Sequence, residues 1–556
     1  MPSTPRLAVD LQTVQGGFFG NRGIRRYALG FTGALARRSA VRAMLFNPGR
    51  PWLEALPEPL RVRGRLGWST TAQFRELDDG DTDAYVITSP FERVHPGQSV
   101  PPPYVVESGL PVVSLLYDLI PEIVDVYPPE LMAAYWERRP LLTQVDLVIT
   151  LSEHVRMHAI ERLGVAPERV SVVGAGASDF FRPPTPGEQP RELVARHLPQ
   201  IRRPFVLSVT GWSAHKNAEG LIDAWARLPA DVRRSHQLVL SCVLPPEACS
   251  AWPDRARSLG LAADDVVVTD FVDEAVLRAL YQTARLFVLP SLEEGFGLPV
   301  LEAVRCGCPA ITSNVSSLPE VLELPAATFP PQDLDAMAGL VQRGLLDDAY
   351  REELGRAAAA AADHHTWERV AERAIGACAA GPAPRRSRRT PRARIALVAP
   401  RPPSAAAAAT ERIIGRLREQ CHVDRFAAPS GAGNGARPAG GSYPATAFGQ
   451  VLDPWGYDLV VYAVDADPPG ELLDLTVRHP GAVWLVDRPD PACIAGLARA
   501  ARAVVVPEEI GRMAVDAGPF RRPVPIILVP GRDGDAEAGA LVTLAHSLAT
   551  GERSVA

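Results

Sequence analysis

Short apolar runs of four or five residues recur along this chain, each followed by a segment of helical periodicity, and the alternation starts three separate times. Few folds accommodate that pattern. A run that is apolar at consecutive positions has both faces covered, as in a parallel sheet, and parallel neighbours need a crossover about as long as a helix. The alternation therefore implies an α/β class, with right-handed β-α-β units and helices on both faces of each sheet. In the first region Leu7–Asp10, Val112–Leu116 and Leu147–Leu151 read as strands, and Arg26–Arg37 and Glu153–Leu163 as helices, the latter stopped by Gly164. The polar, proline-rich piece Arg182–Pro190 marks a hinge. A second region places strands at Phe205–Val209, Gln237–Cys242, Asp265–Val268, Leu286–Leu289 and Ala310–Ser313, with a closing helix around Trp367. The tail repeats the pattern at Ile395–Val398, Asp458–Ala463, Ala482–Val486, Ala503–Val506 and Ile526–Val529.

These boundaries divide the chain into four parts: an N-terminal Rossmann-like domain (1–184), a second Rossmann-like domain (195–380), a basic, proline-containing linker (381–394) and a degenerate third Rossmann-like domain (395–556). Two such domains joined by a hinge enclose a cleft between their C-terminal strand ends, where α/β sheets bind ligands. The linker reads as a solvated tether, with weak attraction to an anionic membrane as the sharper alternative. The Gly/Ala/Ser-rich stretch 427–444 is expected to be mobile. At 556 residues the chain is too long for one core. Its formal charge of −6 argues against nucleic-acid wrapping. Seven scattered cysteines without paired C-x-x-C spacing suit a reducing cytoplasm better than a disulfide framework or a zinc cluster. The N-terminus lacks the pattern of a signal peptide, and no apolar run is long enough to span a bilayer, so the expectation is a soluble or peripheral protein.

Two motifs carry chemistry. Lys216 is the single lysine of the chain, set in Gly211-Trp-Ser-Ala-His-Lys216-Asn217 between an apolar run and a helix-like segment from Asn217 to Ala226. An ammonium beside a helix N-terminus can hold a phosphate; a chance surface lysine is the bland alternative. The second motif is Pro290-Ser-Leu-Glu-Glu294-Gly-Phe-Gly-Leu-Pro-Val-Leu-Glu302-Ala303, directly after a strand. Gly295 and Gly297 would let backbone N–H groups approach a ligand, Pro299 suits the first helical position, and Gly307 suits the helix end. Glu294 and Glu302, at different heights, can accept hydrogen bonds from separate hydroxyls of one polyol. The alternative makes Glu294 a helix-dipole carboxylate and Glu302 a solvated residue.

The second motif resembles the E-x7-E signature of the retaining glycosyltransferases of family 4, which have the GT-B fold. Lys216-Asn217, Leu280-Tyr281-Gln-Thr-Ala284, Ser313-Asn-Val-Ser-Ser-Leu-Pro-Glu320 and Trp367 fit the same family, as do Tyr117-Asp-Leu-Ile-Pro121, Ile149-Thr-Leu-Ser152-Glu153 and Gly23-Ile-Arg-Arg-Tyr27 in the first region. The resemblance covers roughly residues 6–376 and implies that the first domain (1–184) binds the acceptor and the second (195–380) the nucleotide sugar. It implies transfer of a hexose from a nucleotide diphosphate sugar to a glycan or lipid-linked acceptor, with retention and without a bound metal or cofactor. By that implication Lys216 neutralises the departing diphosphate and Glu294 contacts the donor sugar as the catalytic pair. Glu302 holds the ribose, and Gly211, Asn217, Gly295, Phe296, Gly297 and Leu298 complete the donor site. The first-domain residues Gly16, Gly17, Gly23, Arg25, Tyr117 and Asp118 are candidates for a phosphate or acceptor loop.

This chain departs from the family at Gly211, Tyr117 and Arg25, where relatives often carry arginine, histidine and glycine. The tail resembles the start of a second glycosyltransferase domain but lacks a second E-x7-E signature in a Gly-Phe-Gly-Leu-Pro frame and a second lysine, so it reads as catalytically dead, a stabilising appendage or a dock for a protein partner. The implied setting is bacterial surface polysaccharide synthesis, cytoplasmic or peripheral at the inner face of the membrane, with GDP-mannose as the preferred donor. A non-catalytic GT-B scaffold or carbohydrate-binding protein, and a nucleotide-sugar epimerase, are the competing readings.

Overall fold

In the computed structural model the described residues are 4–15, 23–46, 66–68, 82–91, 101, 105, 109–124, 132, 135–136, 138–381, 393–400, 404–427, 442–444, 459–465, 472, 476, 481–486, 503–507, 526–529 and 534–550. They form three separate parallel sheets. The first contains β1 (Leu7–Asp10), β2 (Val41–Phe46), β3 (Leu66–Trp68), β4 (Ala84–Ile87), β5 (Val112–Leu116), β6 (Leu147–Thr150) and β7 (Val170–Val172), in the order β3-β2-β1-β4-β5-β6-β7. The second contains β8 (Phe205–Val209), β9 (Gln237–Ser241), β10 (Val266–Thr269), β11 (Leu286–Leu289), β12 (Ala310–Ser313) and β13 (Thr328–Phe329), in the order β10-β9-β8-β11-β12-β13. The strand order reverses beside β1 and beside β8, which places ligand-binding crevices at the C-terminal ends of those strands.

The third sheet repeats the plan of the first. It runs β14 (Arg394–Ala399), β15 (His422–Ala427), β16 (Ser442–Pro444), β17 (Leu459–Val464), β18 (Ala482–Leu485), β19 (Ala503–Pro507) and β20 (Ile526–Val529), in the order β16-β15-β14-β17-β18-β19-β20. It has an apolar core of its own, around Ile395, Leu397, Ile413, Leu417, Trp484 and Leu541. β14 begins at Arg394, the last residue assigned above to the linker, and Ala393 is already buried. The rest of that linker, 382–392, and most of the Gly/Ala/Ser-rich stretch, 428–441, lie outside the described residues.

Strands that read as unbroken apolar runs are buried along their whole length, as both-face coverage demands: β6, β11 and β17 have no exposed position. Side-chain oxygens start many of the helices. Ser152 accepts from the Val155 N–H at 3.2 Å, Asp273 from Val276 at 2.8 Å and Asp333 from Ala336 at 2.9 Å, each cap contributing about 1 kcal/mol. Gly164 ends the Glu153–Glu161 helix region with φ +70.

The first two units are locked by one helix. Trp367–Ala380, the last helix before the linker, crosses back to the first unit, and the Trp367 ring meets Tyr27 edge-on at 5.1 Å. A Cβ on Gly30 would lie 2.3 Å from that ring, and one on Gly176 would lie 2.6 Å from the Trp367 nitrogen. One apolar cluster consequently runs from the first sheet into the second unit.

Candidate active site

The loop after β8 makes a short 3-10 turn, Ala214–Lys216, before the helix Ala218–Ala226 begins. Asn217 is therefore the residue before that helix and not its first member. It sits in the left-handed region at φ 54, and its side-chain N–H groups bond the carbonyls of Pro290 at 3.1 Å and Pro331 at 3.0 Å. That amide ties the loop to the ends of the neighbouring strands and aims Lys216 across them. Lys216 Nζ lies 2.7 Å from Glu294 Oε1, so two motifs 78 residues apart meet in one ion pair. Ser291 Oγ donates to the same oxygen at 2.7 Å.

Serine hydroxyls hold the Glu294 backbone from both sides: its N–H donates to Ser316 Oγ at 3.0 Å, and its carbonyl accepts from Ser317 Oγ at 2.9 Å. The next carbonyl, of Gly295, accepts from Ser152 Oγ of the first unit at 2.8 Å. A Cβ on Gly295 would stand 2.0 Å from the Tyr117 carbonyl oxygen. Gly297 has φ +98, and a Cβ there would lie 2.6 Å from Leu318 Cδ2. Both glycines thus answer to protein neighbours, Gly295 to the strand end of the opposite unit and Gly297 to the turn itself. The helix then runs Leu298–Arg305, so Pro299 is its second residue, one later than the spacing suggests, and Gly307 follows it at φ +79. The Phe296 ring is buried, edge-on to His365 at 5.3 Å.

Glu302 is not solvated; it is 6% exposed. Its Oε1 accepts from Arg26 Nη1 of the first unit at 2.8 Å, and its Oε2 from the Tyr281 hydroxyl at 3.0 Å. Burial pushes its carboxyl above the ordinary carboxylate range, and Arg26 and Tyr281 oppose that push. Each oxygen keeps a second lone pair for a ligand hydroxyl. Arg26 also pairs with Glu274 at 3.1 Å.

Among the first-unit candidates, Gly23 opens the helix Gly23–Arg37, and a Cβ there would lie 3.4 Å from Leu298 Cδ1, across the cleft. Arg25 is half-buried on that helix, and it is the adjacent Arg26 that reaches Glu302. Gly16 and Gly17 lie outside the described residues. The Tyr117 hydroxyl donates to the Thr88 carbonyl at 2.7 Å. Asp118 Oδ1 accepts from the Ile120 N–H at 3.0 Å. Burial pushes the Asp118 carboxyl up to about 6, with Ile120 and Lys216 pulling it down and Glu294 and Glu293 pushing it further up. Gly211 lies beside the Lys216 stem, where a Cβ would be 3.9 Å from Lys216 Cγ. His215, buried next to Lys216, is held down to about 4 by that burial first and by the lysine second, so it stays neutral at pH 7.

Motif reading did not single out Arg26, Ser291, Ser316 or Ser317. Ser291 carried a signal in its position, three residues before Glu294, and Ser316 and Ser317 stand in the Ser313–Glu320 string that fits the same family. Arg26 carried none that separates it from Arg25.

The sequence and the fold have known counterparts. The model for "Glycosyl transferases group 1" matches residues 191–361. The serotype-specific mannosyltransferase WbdA of Escherichia coli is 30% identical over 301 residues, an alignment that spans 53% of this chain and 35% of that protein. The chain thus spans about a third of the length of that relative. The O-antigen chain mannosyltransferase B of Escherichia coli is 30% identical over 267 residues, 48% of this chain and 69% of that protein. Among solved structures, Anabaena Alr3699/HepE in complex with UDP and glucose aligns with a TM-score of 0.52 at 16% identity, covering 67% of this chain and 99% of that one, a likeness of fold. The paired sheets have the GT-B arrangement, and with 69% of a mannosyltransferase matched at 30% identity, the chain belongs to the group 1 glycosyl transferases.

Proposed function

We propose that this protein transfers a hexose, mannose by preference, from a nucleotide diphosphate sugar to a glycan or lipid-linked glycan, with retention of anomeric configuration. The observation that carries the reading is the Lys216–Glu294 pair, 2.7 Å apart at the C-terminal strand ends. On donor binding the lysine exchanges part of its contact with Glu294 for the diphosphate oxygens and offsets the charge that builds as the bond to the anomeric carbon breaks, the task a metal performs in other transferases. Glu294, held by Ser291 and by its serine-pinned backbone, contacts the donor sugar near the reacting face. Glu302 receives the ribose hydroxyls. The acceptor hydroxyl attacks the anomeric carbon on the face the diphosphate leaves. Its proton passes to a leaving phosphate oxygen, so the products are the new glycoside and a nucleoside diphosphate.

Mannose and a surface polysaccharide as destination are favoured because the relatives above are named mannosyltransferases, one of them of O-antigen chains. GDP-mannose is the matching donor. Residues 395–556 act as a non-catalytic appendage. No helix among the described residues is long and apolar enough to cross a membrane. An acceptor carried on lipid therefore calls for a peripheral approach to the inner face of the membrane.

A thermal-shift panel of GDP, UDP, dTDP and ADP, with and without their sugars, tests this on the wild type and on Lys216→Ala. A ligand at a hundredfold its dissociation constant adds about 2.7 kcal/mol of stability. One nucleotide should stabilise the wild type, and Lys216→Ala should lose that shift. No shift with any nucleotide on folded protein would instead favour a non-catalytic scaffold.

A further inference from the structure

Next to the Glu294 turn lies a group of side chains that the transfer reaction does not use. His154 and His158 are one helical turn apart on the Glu153–Glu161 helix of the first unit, and their rings lie 4.1 Å apart. Glu293, in the signature turn of the second unit, places Oε1 2.6 Å from His154 Nε2. The ligand-type atoms of all three residues fall within 4.8 Å of one another. All three side chains are partly accessible, so an ion can enter.

We propose that His154, His158 and Glu293 bind a divalent transition-metal ion of the zinc class, which clamps the first two units together across the cleft. The donor set suits it. Two imidazoles spaced i, i+4 point from one helical face, and one carboxylate comes from elsewhere, an N2O set that zinc-class ions take with a fourth position left for water. A direct His154–Glu293 hydrogen bond accounts for two of these groups but leaves the second imidazole beside the first without a shared partner. A cation between them would take the place of that hydrogen bond and engage all three.

The geometry around the group is fixed before any ion arrives. Glu320 of the second unit accepts the backbone N–H groups of Glu153 and His154 at 2.8 Å and 2.9 Å. Ser152, the residue capping the same helix, donates to the Gly295 carbonyl at 2.8 Å. The helix that carries both histidines is thus pinned to the turn that carries Glu293. The site is separate from the diphosphate position, because the neighbouring Glu294 carboxylate turns to Lys216 and Ser291.

Titration of the metal-free full chain with Zn2+, followed by calorimetry, and with Co2+, followed by its visible ligand-field absorption, tests the assignment without any nucleotide. Its outcome is therefore independent of the transfer reaction proposed above. The wild type should bind one ion tightly, and its melting temperature should rise on binding. His158→Ala and Glu293→Gln should each bind at least about tenfold more weakly, while Arg156→Ala, on the same helix, should bind like the wild type. Melting temperatures of the metal-free variants establish that each is folded; Glu293→Gln keeps an acceptor for His154 and removes only the charge. Equal affinity in the wild type, His158→Ala and Glu293→Gln, or no tight ion in the folded wild type, would overturn the proposal.

Discussion

The first and third units are built to one plan, seven parallel strands with the same order around the first strand of each, yet they treat the helix after that strand in opposite ways. In the first unit the helix Gly23–Arg37 turns outward. Arg26 reaches Glu302 and Glu274 of the second unit, and Gly23 lies against Leu298. In the third unit the helix Ala405–Gln420 is closed off from within. Ser404 Oγ accepts the Ala407 N–H at 2.9 Å, and Asp465, just after β17, accepts the Ala406 N–H at 2.6 Å. A carboxylate already sits where a helix N-terminus would draw a phosphate. The lesson is that strand order specifies a scaffold, while the first residues after each strand decide whether it takes part in a site.

The largest effect that tests this contrast is at Glu294. Glu294→Gln keeps an oxygen for Ser291 and Lys216 but removes the charge, and transfer should fall by about a hundredfold or more, as when a preorganised electrostatic group is lost. Asp465→Asn, the same change in the third unit, should leave the transfer rate unchanged. Steady-state kinetics on both variants decides it, and an equal loss in the two would place the third unit inside the catalytic apparatus.

Asp118 comes next, because the strand end that lines the cleft holds a carboxylate at a cost. Its folded value of about 6 exceeds the ordinary 3.8, so between those values the folded state binds the extra proton. Stability from this group is full below about pH 4 and is lost as the pH rises through 6. Asp118→Asn, which still accepts the Ile120 N–H, should therefore gain on the wild type as pH is raised, by at most about 3 kcal/mol above pH 6. Denaturant melts at pH 4.5 and 7.5 (about the two ends of the window) read the difference. A constant gap would mean that burial does not hold the Asp118 carboxyl above its ordinary range.

Two glycines sharpen the comparison further. Gly295→Ala would press a Cβ onto the Tyr117 carbonyl, and Gly481→Ala onto the Val460 carbonyl, at 2.0 and 2.3 Å before relaxation. Each should cost about 1–3 kcal/mol. Only Gly295→Ala, whose clash lies between units, should also lower transfer; differential scanning calorimetry beside an activity assay separates the two.

Much of the scaffold was legible because buried parallel strands are unbroken apolar runs, and β5, β8, β11, β12 and β20 fall on the residues expected. β2 and β15 were not, since Arg42 interrupts one and His422-Val-Asp-Arg-Phe-Ala427 alternates like a half-exposed strand. Within the site, Lys216 and Glu294 stood out by rarity and by the glycine–proline frame. The pairing of Arg26 with Glu302, 276 residues apart, left no local mark, because it depends on how two sheets face each other. The reason for Gly295 was hidden in the same way: its crowding neighbour is a carbonyl of the opposite unit.

The smallest effect is the most direct probe of the self-closed helix. Asp465→Ala removes one acceptor from the Ala406 N–H while Ser404 still caps Ala407, so the loss should be near the low end for a helix cap, about 0.5–1 kcal/mol. The third unit has a separate core, and the change should therefore shift its melting alone. The same substitution uncovers a helix N-terminus that resembles a phosphate site in everything but its sequence. Phosphate or GDP should still add no stability to this unit, because it has no lysine and no second Gly-Phe-Gly-Leu-Pro turn to complete the pocket. A new nucleotide-dependent shift in Asp465→Ala, confined to the melting of the third unit, would show that a single carboxylate was what kept this scaffold from binding.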